Sequence, residues 1–133
     1  MKNLLAINLL LISGVLFLSC QKTTEVKPSI YGIWKGKFGI GANTVPNTDV
    51  IFDLKADGTI IAYNGADIPS ATTKGTGTFQ TSKDGLELSA QYMYPNNQLV
   101  YSVQMASTSE FKTLKGNWKF NESPGGKIEL IKQ

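Results

Sequence analysis

The sequence predicts an all-β domain: an eight-stranded antiparallel up-and-down meander barrel. Three observations predict it. Beyond residue 29, apolar residues recur at every second position, and no helical period is sustained. Turn signals such as Asp57-Gly58, Asp84-Gly85 and Pro124-Gly125-Gly126 interrupt that pattern at short intervals. The connections between runs are of hairpin or modest length, so sequence neighbours should pair, and closing the sheet would remove its exposed edges. An open sheet and a two-sheet sandwich are the competing arrangements.

The first strand is expected over 31–39, with Trp34 and Phe38 on one face and Lys35 and Lys37 on the other. The second, 49–55, places Val50, Phe52 and Leu54 together. Asp57-Gly58 turns the chain into the third, 59–64. The fourth, 74–81, turns Gly75, Gly77 and Phe79 inward. Asp84-Gly85 leads to the fifth, 86–94, which aligns Leu88, Ala90, Tyr92 and Tyr94. Pro95-Asn96-Asn97 leads to the sixth, 99–105. The seventh, 111–121, aligns Leu114, Gly116, Trp118 and Phe120, and Pro124-Gly125-Gly126 is expected to turn it into the eighth, 127–131.

The 133 residues include 13 lysines, 10 acids, one cysteine, and neither His nor Arg. Without His there is no Ser-His-Asp or Cys-His catalysis and no imidazole metal ligand. Without Arg there is no bidentate fork for phosphate. One Cys forms no intrachain disulfide. Residues 4–18 form an apolar run behind Lys2, too short for a membrane span of about 20 residues. The run ends at Leu18-Ser19-Cys20, followed at once by polar residues. Residues 1–19 are therefore expected to be a cleaved leader, and 20–29 a flexible tether ahead of the domain at 30–133. Without Lys2 the mature chain carries 12 lysines against 10 acids, a net +2, too mild to argue for nucleic acid.

Leu18-Ser19-Cys20 resembles a bacterial lipobox of the looser Bacteroidetes-like kind, with Phe17 where the pattern prefers Leu. The resemblance implies a diacylglyceryl thioether and N-acylation (palmitate-type chains) at Cys20. Several acyl chains make a stable anchor where one would be marginal. The other reading of this segment is an ordinary secretory signal followed by a buried free thiol. Gln21 in place of Asp implies outer-membrane retention, with the periplasmic or surface side left open. Gly32-Ile33-Trp34, the run Phe52 to Thr59, Gly75-Thr76-Gly77-Thr78-Phe79 and Leu114-Lys115-Gly116-Asn117-Trp118 follow one another in the order of the lipocalin-like (calycin-type) small bacterial lipoproteins, which the chain resembles over 29–133. That family sets a late Arg across the opening Trp, and this chain has none.

In a meander, alternate loops share an end. The two longest, 40–48 and 65–73, fall at one end, and both Asp-Gly turns at the other. A binding mouth belongs at the elaborated end, with Asn43, Thr44, Asp67, Tyr92, Tyr94 and Asn96 as candidate lining. The plainer reading is solvated loops over a side-chain-filled barrel. Trp34 and Trp118 read as core, with the opening Trp near the closed end by family resemblance. Closure would also gather Lys35, Lys37, Lys115, Lys119 and Lys127 on one outer face, offset mainly by Glu129, where it could meet anionic headgroups or a polyanion. Lysine-rich strands also serve simply as solvated edges.

An enzyme is not expected. Asp49 and Asp53 share a strand face but sit about 13 Å apart along the backbone, beyond the roughly 5–9.5 Å of glycosidase carboxylates. No cofactor or metal is expected. Two functions remain: a membrane-anchored lipoprotein binding a small apolar or amphipathic ligand, or a non-catalytic envelope module binding a protein or anionic polymer through its outer face.

Overall fold

In the computed structural model, which describes residues 28–133, the alternating pattern becomes one closed sheet. The strands are β1 (Gly32–Phe38), β2 (Thr48–Leu54), β3 (Thr59–Asn64), β4 (Thr73–Thr81), β5 (Glu87–Met93), β6 (Val100–Ser107), β7 (Thr113–Phe120) and β8 (Ser123–Lys132). Each pairs antiparallel with its sequence neighbour, and β1 pairs with β8 to close the barrel. The leader at 1–19, Cys20 and residues 21–27 of the expected tether lie outside the described residues.

The inward face is the core. Trp34, Phe52, Leu54, Ile60, Leu114, Ile128 and Leu130 are fully buried, each of the aliphatic and Phe side chains contributing about 1.5–3 kcal/mol. Gly116 is inward because nothing larger fits: a Cβ there would lie 1.9 Å from the Gln104 carbonyl oxygen. Its absence lets β6 and β7 coil closely against each other.

Of the boundaries that differ from the sequence expectation, two have a visible cause. Pro124-Gly125-Gly126 is not a turn but the opening of β8. The chain reverses at Asn121 and Glu122, both at positive φ (42° and 67°), the geometry of a two-residue hairpin turn. The glycines serve packing instead, because a Cβ on Gly125 would lie 2.4 Å from the Trp118 indole. β7 starts at Thr113 rather than 111. Phe111, at φ 49°, closes a turn by donating its N–H to the Thr108 carbonyl and packs its ring against the core.

The end carrying both Asp-Gly turns is sealed around Trp34. Its indole N–H donates to the Ile30 carbonyl at 2.7 Å. The Lys132 ammonium lies 5.2 Å from the Trp34 ring and donates to the carbonyls of Ser29 and Tyr31. A lysine thus stands over the opening tryptophan as a cation above its ring. Partial burial lowers the Lys132 pKa.

Candidate functional site: an aromatic mouth

Gly32-Ile33-Trp34-Lys35 recurs as Gly116-Asn117-Trp118-Lys119, and the two tryptophans occupy opposite ends of the barrel. Trp34 closes one end. Trp118 stands at the other, its indole N–H donating to the buried Gly39 carbonyl at 2.8 Å. This second end carries the loops 39–47, 65–72 and 94–99.

Strand alternation brings aromatic side chains together below those loops. Tyr92 opposes Tyr101 in the β5–β6 register, and their rings stack at 5.4 Å and 11°. Tyr101 stacks in turn on Trp118 at 6.1 Å. Phe38 meets Trp118 edge-on at 5.3 Å, and Tyr94 meets Tyr101 edge-on at the same distance. Such pairs contribute about 0.5–1.5 kcal/mol each beyond their burial. Together with Asn64 and Ile128, Phe38, Tyr92, Tyr94, Tyr101 and Trp118 enclose a cleft of about 60 Å³.

Burial governs the phenols. It pushes the Tyr92 pKa well above the ordinary value, with the neighbouring Tyr94 and Tyr101 adding to the effect. Burial also pushes Tyr94 up to about 12, with Tyr101 adding to it, and a hydrogen bond with Tyr92 works in the opposite direction. The mouth is therefore uncharged at neutral pH, and its hydroxyls act as neutral donors and acceptors. The Tyr101 hydroxyl already accepts from the Asn97 amide at 3.1 Å.

Of the expected lining residues, Tyr92 and Tyr94 meet at the cleft. Asn43, Thr44, Asp67 and Asn96 are exposed on the surrounding loops and do not line it. Asp67 is engaged locally, accepting from the Ser70 N–H at 2.8 Å. Phe38, Asn64 and Tyr101 emerge only with the register. Trp118, read as core, is 8% exposed and forms a wall of the cleft as well.

The cleft has room for a few waters or one small group. Sites enclosing a drug-sized ligand have about 300–1,000 Å³. The barrel is otherwise filled by its own side chains.

The five outer lysines are indeed carried by the neighbouring strands β7, β8 and β1, but acids interleave with them. Lys115, Glu129, Lys37 and Asp49 follow one another across four strands in register. Lys37 pairs with Asp49 at 2.6 Å and Lys115 with Glu129 at 3.4 Å. Both pairs are exposed, so each contributes no more than about 1 kcal/mol. Lys35, Lys119 and Lys127 form no ion pair with another described residue. Asp53, facing outward on β2, pairs with Lys55 at 2.6 Å. Among the described residues, no group of three Asp, Glu, His or Cys is placed to hold a metal.

No family model, curated protein or solved structure matches the chain.

Proposed function

We propose that the chain is a non-catalytic lipoprotein, anchored through acylated Cys20 in a bacterial outer membrane, whose barrel mouth binds one end of a small amphipathic ligand. The stacked cluster of Tyr92, Tyr101 and Trp118 around an open cleft carries this reading. Flat rings offer dispersion contact to an alkyl end or a ring face, and phenol hydroxyls at the rim suit a polar neighbour on the same molecule. The cleft's size limits the seated part to a terminal group, with the rest of the ligand lying across the three loops. A closed barrel of lipocalin-like form is compatible with this use.

The filled interior favours a second reading, in which the outer face docks an envelope protein or anionic polymer and the mouth is only a cap. Native mass spectrometry of the detergent-extracted protein from its source separates the two. A co-purifying small molecule, lost in Tyr101→Ala, supports the mouth. A bare protein mass with a retained macromolecular partner overturns it. Metabolic labelling with palmitate tests the anchor, and label persisting in Cys20→Ala would refute it.

A further inference from the structure

The outer face of β4 to β7 differs from the rest of the surface. In register, Gln80, Ser89, Gln104 and Asn117 form one row across four strands. Gln91 and Ser102 oppose each other in the adjacent row. All six point outward, none is charged, and none makes a side-chain hydrogen bond to another described residue. Charged residues border them: Glu87 beside Ser89 on β5, Lys119 opposite Ser102, and Glu122 just beyond β7.

Side-chain length shapes this face. Ser89 is short and sits between Gln80 and Gln104, while Ser102 is short and sits beside Gln91. The result is a trough with amide walls and a hydroxyl floor. Three adjoining hollows, of about 510, 260 and 170 Å³, lie along it, and Ser89 lines all three.

We propose that this trough binds a neutral, hydroxyl-rich polymer, a polysaccharide chain, independently of the mouth. Each Gln or Asn amide offers a donor and an acceptor side by side, matching hydroxyls that both donate and accept. Adjacent strands are spaced about 4.8 Å apart, so the polar groups of the row, amides at Gln80, Gln104 and Asn117 and the hydroxyl of Ser89, recur at intervals comparable to one sugar ring. The competing partners lack their chemistry here. A protein interface centres on buried aromatic or aliphatic anchors, and the trough has none. An anionic lipid or nucleic acid needs cations along its whole path, and here Lys115, Lys119 and Lys127 gather only around Asn117 at the β7–β8 margin, with none among Gln80, Ser89 and Gln91.

Affinity electrophoresis of the full chain in detergent, through gels holding glucan, mannan or xylan, tests this, with polygalacturonate as the charged counterpart. At least one neutral polymer should retard the protein, and Gln91→Ala/Gln104→Ala should weaken that retardation at least tenfold. Ser89→Leu, which fills the floor without adding a donor, should do the same. Both changes are on the exposed face, and unchanged melting temperatures verify that the barrel is intact. No retardation by any of the three neutral polymers overturns the proposal. So does retardation that survives both variants, or that is strongest with polygalacturonate and disappears in salt.

Discussion

Raising the pH should destabilise the barrel through its mouth, and Tyr94 gives the magnitude. Its phenol has an ordinary pKa of 10.0 and is held at about 12 in the fold, chiefly by burial. A group whose folded pKa is raised keeps its proton more tightly in the native state. Its stabilisation is complete below pH 10 and is lost as the pH rises through the folded value. The shift of about 2 units at 1.36 kcal/mol each sets a ceiling of about 2.7 kcal/mol. Tyr94 is only partly buried, and solvent screening reduces this to about 1–2 kcal/mol. For a domain of this size that is a fall in Tm of roughly 4–10 °C. Lysines titrate in the same window, so the comparison must be between the wild type and Tyr94→Phe. The wild type should lose about 1–2 kcal/mol more than the variant between neutral pH and pH 12, followed by thermal melts alongside phenolate absorbance. Parallel stability curves for the two proteins, with the Tyr94 phenolate forming near pH 10, would refute the reasoning.

Two further changes probe the frame. Gly116→Ala places a methyl 1.9 Å from the Gln104 carbonyl, where only backbone movement can relieve the clash. It should cost about 3 kcal/mol or more in urea unfolding, whereas neighbouring, outward Asn117→Ala should stay within about 0.5 kcal/mol. Lys132→Met removes the cation over Trp34 and the donor to two carbonyls. A loss of about 1–3 kcal/mol is expected, measured as a lower urea midpoint at unchanged slope and largely restored by Lys132→Arg.

Local signals carried the strands, and register carried the site. Period-2 alternation and the two Asp-Gly turns located β2–β3 and β4–β5 to within a residue or so, because inward burial and φ > 0 each act over a few residues. Closure depends on β1 meeting β8, a pairing between the two ends of the fold that no local pattern encodes. Pro124-Gly125-Gly126 misled because glycine signals either a turn or a close approach, and only the Trp118 indole lying on Gly125 decides between them. The same applies at the mouth. Tyr92 and Tyr94 are legible from alternation within one strand, while Phe38, Tyr101 and Trp118 join them only through pairings across β6, β7 and the closing seam. The lysine face was legible as a set of neighbours, but its neutralisation was not. Asp49 falls beside Lys37 only through the β1–β2 register.

The seal around Trp34 also separates the chain's point of entry from the aromatic mouth. Lys132 grips the carbonyls of Ser29 and Tyr31 just where the chain enters β1, so the chain joins the barrel at the sealed pole. The aromatic opening lies at the opposite pole, so anything seated there approaches from the side away from the chain's entry and meets no competition from the incoming segment.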